Sequence, residues 1–138
     1  MIKQNKIPPY ISARLDLLTP LLTRDSRIIF AYIFGGLATG EQRPLSDVDI
    51  AVYLNNYVDK FEVKLDLIGE LSDVLKTDEI DLVILNDAPI SLVGRILKKK
   101  RLITDKQPFL RHAFESRSLR EFFDFSRKEQ DILFRRFG

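Results

Sequence analysis

A chain of 138 residues and 16.0 kDa has room for one hydrophobic core, so we predict a single domain spanning residues 1–138. Its 22 Lys and Arg against 20 Asp and Glu leave a net charge of +2, which is too balanced to indicate nucleic-acid binding. The absence of cysteine excludes disulfides, thiol catalysis and cysteine-ligated metals, and no apolar run is long enough for a membrane span or a signal peptide; we therefore expect a cytoplasmic protein.

The first elements along the chain are a helix and a buried strand. Apolar residues at helical spacing after Pro9 predict a first helix that is kinked or ends near Pro20. Residues 27–34 are almost continuously apolar, which is typical of a strand covered on both faces. This strand is predicted to stop at Gly35 and Gly36.

A second strand is predicted from Ser46 to Leu54, because apolar side chains alternate there. Val48, Ile50, Val52 and Leu54 are expected on one face of the strand, and Asp47, Asp49, Ala51 and Tyr53 on the other. Residues 59–76 then show the period of an amphipathic helix. Its buried stripe is predicted to consist of Phe61, Leu65, Ile68, Leu71 and Leu75.

The remaining pattern predicts a third strand at residues 80–85, a helix through residues 92–97 and a fourth strand at residues 101–104. Helices follow from Pro108, and a capping-box pattern at Ser126 is expected to start a separate last helix. This order of elements predicts an α/β (α+β) fold, with a small mixed β-sheet, flanking helices and a helical C-terminal tail at residues 108–138.

The aspartates of the second strand indicate a metal site. Asp47 and Asp49 are two residues apart in a strand, so their carboxylates share a face, with Cα atoms roughly 6 to 7 Å apart. Paired anions of this kind are tolerated when a divalent cation neutralises them, and oxygen ligands suit Mg²⁺. Asp81 opens the next predicted strand and could add a third carboxylate, which would suit a two-metal site for displacement at phosphorus.

The glycine pair indicates a phosphate-binding turn. Gly35 and Gly36 let the backbone come close to a charged ligand and adopt a positive φ at the end of the first strand. A short helical turn beginning near Leu37 would aim further amides at the anion. Ser46 is expected to bond either to the turn or to a phosphate.

Two motifs in this order resemble a known superfamily. GGLATG at residues 35–40, followed by SDVDI at residues 46–50, is similar to the signature of polymerase-β-type nucleotidyltransferases. EIDLVIL at residues 79–85, APISLVGRILKKKRLITD at residues 88–105 and FESRSLREFFDF at residues 114–125 resemble the minimal nucleotidyltransferase (MNT) antitoxins, which are paired with HEPN-domain ribonuclease toxins. Gly36 departs from the pattern, which has a serine at that position.

The resemblance implies a fold and a reaction. The fold would be that of the polymerase-β-type nucleotidyltransferases, and the reaction would be Mg²⁺-dependent transfer of AMP from ATP to a tyrosine of a HEPN toxin. Asp47 and Asp49 would be the paired metal ligands, and Asp81 the third catalytic carboxylate, either as a ligand of the second metal or as the base that prepares the acceptor hydroxyl. Gly35, Gly36 and Ser46 would bind the nucleotide. The alternative is an antitoxin that neutralises its toxin by binding alone, which the missing serine hydroxyl at Gly36 would favour.

Two further features have more than one interpretation. Seven phenylalanines between residues 109 and 137 suit core packing, but some could instead form a surface for a protein partner. The basic run Lys98–Arg101 suits a solvated helix end, with phosphate or RNA binding as the alternative. Nucleic acid is not expected to be the direct substrate.

Overall fold

The computed structural model describes residues 9–36 and 48–137, which form a four-stranded sheet covered by helices on both faces. In chain order the elements are α1 (Pro9–Arg24), β1 (Ile28–Phe34), β2 (Val48–Leu54), α2 (Lys60–Leu75), β3 (Ile80–Ile84), α3 (Ile90–Lys98), β4 (Lys100–Asp105) and α4 (Pro108–Phe137). A short 3-10 turn, Leu85–Asp87, follows β3. The α/β class and the mixed sheet predicted from the sequence are confirmed.

The strand order is β3-β2-β1-β4, with β1 antiparallel to both of its neighbours and β2 parallel to β3. The carboxyl end of β1 therefore lies at the same edge of the sheet as the amino ends of the other three strands. We call this the glycine edge, because Gly35 follows β1 there. It is flanked by Val48, Ile80 and Lys100, the first residues of β2, β3 and β4.

Each face of the sheet has its own apolar cluster, as the alternation in β2 predicted. Val48, Ile50, Val52 and Leu54 face α1 and α2, together with Leu18 and Leu22 of α1 and Leu67 and Leu71 of α2. The opposite cluster joins Phe30, Tyr32 and Ala51 to α3 and to Phe114 of α4. Phe30 stacks on Tyr53 at a centroid distance of 4.8 Å. Asp49 alternates with the first set and so belongs to the α3 and α4 face.

Helix α2 begins where the sequence indicated, and Leu71 and Leu75 of the predicted stripe are buried, but its first two turns bury other side chains than predicted. Asp59 caps it, since its carboxylate accepts the amide of Phe61 at 3.0 Å. The buried residues are Val63, Leu67, Leu71 and Leu75. The prediction that Phe61 and Leu65 are buried is wrong, because they are 69% and 55% exposed. On the helix surface, Phe61 and Leu65 are followed by Gly69 and Ser72, which are not large apolar residues. The row that is buried contains only apolar residues.

Two helix boundaries differ from the predicted ones. Helix α1 continues through Pro20 to Arg24, so the prediction that it ends at the proline is wrong, while the alternative of a kink stays a prediction. Helix α4 is one continuous helix of 30 residues, so the capping-box pattern at Ser126 does not start a separate helix. A helix already hydrogen-bonded through residue 125 gains more by adding a turn than by breaking its ladder to form a new cap. Within the described chain, no helix combines the length and the apolar composition that a membrane crossing requires.

A partly buried polar network attaches α4 to the sheet. The Tyr32 hydroxyl of β1 donates to the carboxylate of Glu115. Arg111 donates to Asp105 at 2.7 Å and to Glu115 at 3.1 Å, and Lys100 Nζ lies 3.6 Å from Glu115. Charged groups that lose water are stabilised only when they are paired, so this network fixes the position of α4 on the sheet.

The network also sets the ionisation of its members. Burial alone would raise the pKa of Glu115, but the Tyr32 hydroxyl, Lys100 and Arg111 together hold that pKa below its usual value. Burial, and then the neighbouring Glu115 carboxylate, raise the pKa of the Tyr32 hydroxyl far above its usual value. The ionised carboxylate and the protonated phenol are thus the forms that the fold stabilises.

Helix α4 also packs tightly against α3, because the ring of Phe122 lies directly on the α3 backbone at Gly94. A Cβ atom at Gly94 would lie 2.1 Å from Cδ1 of Phe122, which is far inside van der Waals contact. Phe122 is 8% exposed, and Lys98 Nζ lies 4.8 Å above its ring. Only glycine allows this approach.

We expect Gly94→Ala to destabilise the protein by about 1 to 3 kcal/mol, because overpacking forces a buried ring and a helix apart. Gly69→Ala is the matched control: nothing lies within 4 Å of its added Cβ, so the substitution should stabilise the exposed helix by about 1 kcal/mol. Urea unfolding of both variants measures the difference. Equal midpoints for the two variants would contradict the close packing of α3 on α4.

A second prediction concerns acid stability. The pKa of Glu115 is lower in the folded protein than its unfolded value of 4.5. Its ionised carboxylate therefore stabilises the fold above pH 4.5, and this stabilisation is lost as the pH falls through the folded-state pKa. Glu115→Gln should therefore lower stability near pH 7 and flatten the loss of stability below about pH 4.5. Urea midpoints measured from pH 7 to pH 3 test this. Parallel pH profiles for the variant and the wild type would show that Glu115 does not contribute.

Candidate active site

The register of the two parallel strands brings two of the predicted carboxylates together. Asp49 of β2 pairs in register with Asp81 of β3. Paired positions on adjacent strands share a face and are separated by about 4.8 Å. Asp49 is half-buried and Asp81 is exposed, so both lie where the sheet meets solvent at the glycine edge. The predicted proximity of Asp81 to the second strand is confirmed, while Asp47 and Ser46 lie outside the described residues.

Gly35 is the contact between the glycine turn and these carboxylates. Its φ is +68°, in the left-handed region that favours glycine. A Cβ atom at this position would lie 2.6 Å from Oδ2 of Asp49. The lack of a side chain therefore lets the Asp49 carboxylate lie directly against the turn. Gly36 follows and is half-buried, and the helical turn predicted near Leu37 lies outside the described residues.

The basic run Lys98–Arg101 reaches the same edge from the other side. The Gly35 amide donates to the carbonyl of Lys99 at 3.2 Å, and Lys100 pairs in register with Phe34. Lys98 ends α3 and the run is exposed, as a solvated helix end would be, but Lys100 and Arg101 begin β4, which lies beside the strand that ends at the glycines. No local pattern in the sequence indicates this strand pairing.

One depression opens on the α3 side of the sheet, and another lies along the outer edge of β3. The first, of about 240 Å³, lies next to Gly35 and is lined by Phe34, Gly35, Leu92, Arg95, Ile96 and Lys99. The second, of about 390 Å³, runs beside β3 and includes Asp81, Lys64 and Asp87 in its lining. Leu92 lines both and so separates them. The two depressions offer one position beside the glycine turn and another beside Asp81.

The donor set at this edge fits a hard divalent cation. Carboxylate oxygens are the ligands that Mg²⁺ prefers, and Asp49 and Asp81 present them from adjacent strands on one face. Among residues 9–36 and 48–137, no group of three or more acidic or histidine side chains is close enough to form a complete metal site. The third member of the predicted set, Asp47, would have to come from outside that part of the chain.

Comparison with known proteins identifies the arrangement. A family model described as polymerase beta, nucleotidyltransferase, matches residues 17–109. A comparison with curated proteins gives no significant match.

Several solved toxin–antitoxin structures share the fold. One, crystallised with AMP-PNP, has a TM-score of 0.73 at 23% identity, covering 90% of this chain and 98% of that chain. A variant of the toxin–antitoxin MntA-HpeT gives 0.70 at 20% identity, covering 93% and 98%. A tri-AMPylated Shewanella oneidensis HEPN toxin in complex with MNT antitoxin gives 0.64 at 19% identity, covering 94% and 97%. At these identities the likeness establishes the fold.

We expect Gly35→Ala to displace the Asp49 carboxylate, because the added Cβ would occupy its position and because φ of +68° costs a non-glycine residue about 1 to 2 kcal/mol. The variant should remain folded and bind divalent cations about tenfold more weakly. Titration with Mn²⁺, a paramagnetic substitute for Mg²⁺ at oxygen sites, measures that affinity. The exposed Gly69→Ala variant is the control, and unchanged Mn²⁺ affinity in Gly35→Ala would contradict a metal site beside the turn.

Proposed function

This chain belongs to the polymerase beta nucleotidyltransferase family, and from that membership we propose that it is an antitoxin that transfers AMP from ATP to a tyrosine of a HEPN toxin. The observation that carries the proposal is the meeting of Gly35, Asp49 and Asp81 at one edge of the sheet. A glycine turn beside paired carboxylates suits a nucleotide whose phosphates must approach both backbone amides and metal ligands.

The proposed reaction is an in-line displacement at the α-phosphorus of ATP. The tyrosine oxygen of the acceptor forms a new O–P bond, the bond between the α-phosphorus and the bridging oxygen breaks, and pyrophosphate leaves with that electron pair. Asp81, which is exposed in the depression beside β3, accepts the proton of the tyrosine hydroxyl. The products are AMP-tyrosine and pyrophosphate.

The chain's own groups orient the two reactants. Gly35 and Gly36 bring backbone close to the phosphates, and Asp49 stands between that turn and Asp81. The motif assigns Asp47 and Ser46 to the same set. The carboxylates of the set would hold Mg²⁺, and the bound ion would neutralise charge on the phosphates and on the leaving pyrophosphate.

Helix α4 provides the surface for the protein partner. It crosses the sheet over about 21 Å from Pro108 to Phe122 and then extends about 22 Å further, to residue 137. Because Phe122 contacts Gly94 and Lys98 near the glycine edge, the extension leaves the domain next to the candidate active site.

The extension has the character of an interaction surface. Every side chain from residue 127 to residue 136 is exposed, including Ile132, Leu133 and Phe134, which are 58%, 55% and 75% exposed. Apolar side chains on a projecting helix suit burial against another protein. The similar structures include an AMPylated HEPN toxin bound to an MNT antitoxin, which supports a HEPN protein as this partner.

Transfer of label from α-³²P-ATP to a purified HEPN partner tests the function directly. We expect Asp49→Asn together with Asp81→Asn to lower the transfer rate roughly 100-fold or more, because electrostatic stabilisation of the reacting phosphate is lost. Asp73→Asn, on the exposed face of α2, is the matched control and should transfer at the wild-type rate. Unfolding midpoints would show that all variants are folded.

Toxin neutralisation in cells separates this function from the alternative. If the double variant transfers no label yet still neutralises the toxin, the chain acts by binding alone, as the glycine at position 36 in place of serine would favour. If both transfer and neutralisation are lost while the complex with the toxin still forms, AMP transfer is the neutralising step. Undiminished transfer in the double variant would refute the assigned site.

A further inference from the structure

The glycine edge is divided electrostatically across the sheet. Asp49 and Asp81 lie on the β2 and β3 side, whereas Arg95 and the run Lys98–Arg101 lie on the α3 and β4 side. Gly35 lies between them, with the Asp49 carboxylate on one side and the Lys99 carbonyl on the other. A ligand that crosses this edge therefore meets carboxylates at one end and cations at the other.

Two of the cations have structural roles. Lys98 Nζ lies 4.8 Å above the ring of Phe122, and Lys100 Nζ pairs with Glu115 at 3.6 Å. Arg95 and Lys99 remain as the cations that line the 240 Å³ depression beside Gly35. The Lys99 backbone is fixed by the amide of Gly35, and the Nε of Arg95 donates to the Ser91 carbonyl at 3.3 Å. Hydrogen bonds therefore hold the Lys99 backbone and the Arg95 side chain in place next to the glycine turn.

We propose that Arg95 and Lys99 bind the β- and γ-phosphates of the nucleotide. This assignment rests on the proposed function and deepens it. The polyphosphate lies over the depression on the α3 side, so the α-phosphate faces Asp49 across Gly35, and the acceptor approaches from the depression beside Asp81. Pyrophosphate then leaves on the side opposite to the attacking oxygen, as an in-line displacement requires.

The size and lining of the depression favour phosphates over the whole nucleotide. A volume of about 240 Å³ is below the roughly 300 to 1,000 Å³ of sites that enclose a complete small ligand, so it holds one part of the molecule. Two cations at its rim select the anionic part. The apolar residues Phe34, Leu92 and Ile96 exclude water from beneath, which strengthens the attraction between the charges.

The same features favour a nucleotide over RNA. A nucleic-acid backbone needs cations along a track of several phosphates. Here the two cations converge on one small depression, Lys98 and Lys100 contact Phe122 and Glu115, and the net charge of the chain is only +2.

Calorimetric titration with ATP, pyrophosphate and AMP tests the assignment, because AMP lacks the two phosphates in question. In the presence of Mg²⁺, Arg95→Gln with Lys99→Gln should weaken binding of ATP and of pyrophosphate about 10- to 100-fold, and binding of AMP less than about twofold. Arg24→Gln with Lys60→Gln is the matched control, since it removes one arginine and one lysine at the opposite edge of the sheet and should change none of the three affinities.

Several outcomes would overturn the assignment. The first is that the wild-type protein binds ATP and AMP equally well. The second is that the Arg95 and Lys99 variant binds ATP and AMP more weakly to the same extent. The third is that this variant binds ATP as the wild type does but no longer binds an RNA oligonucleotide. The binding measurement involves no acceptor, so it can succeed even if no label is transferred to a HEPN protein. Failure of the phosphate assignment is thereby distinguished from failure of the proposed function.

Discussion

The close approach of Gly35 to the Asp49 carboxylate is the constraint on which the rest of the site depends. It requires β1 to end at the glycine and to lie directly beside β2. Parallel pairing of β2 with β3 then places Asp81 next to Asp49, and antiparallel pairing of β1 with β4 places the basic run on the other side. One central strand thus brings together residues separated by more than 60 positions in the chain.

Specific contacts also fix the position of α4 on the sheet. A long helix across an apolar sheet could slide by a turn if only hydrophobic contacts held it, because such contacts are not directional. The Glu115 network and the fit of Phe122 against Gly94 define one register, the first by charge and hydrogen-bond geometry and the second by shape. The position at which α4 leaves the domain is therefore fixed relative to the glycine turn.

Much of the fold could be predicted from the sequence, because its signals are local. The alternation in β2 predicted both of its faces, and the position of Asp81 at the start of the next predicted strand indicated that it could join the carboxylates of β2. In α2 the burial of Leu71 and Leu75 was predicted correctly, but Phe61 and Leu65 were wrongly predicted to be buried because they are as apolar as the residues that the sheet covers.

What could not be predicted depends on pairing between distant segments. The basic run became part of the candidate site only through the pairing of β4 with β1, which no local pattern in Lys98–Arg101 encodes. The continuity of α4 through Ser126 likewise reflects a helix already supported by tertiary contacts, against which a capping pattern is a weak signal. Arg95 lies within a stretch that resembles the MNT antitoxins, but its position beside Gly35 is set by the packing of α3.

The unbroken course of α4 has a mechanical consequence. A helix without a hinge is a stiff rod, so the exposed end near residue 134 keeps a fixed distance and direction from the anchor at Phe122. A protein bound along this helix would keep a fixed orientation relative to the sheet. The length of α4 beyond the sheet would then determine which part of a bound protein can reach Asp81.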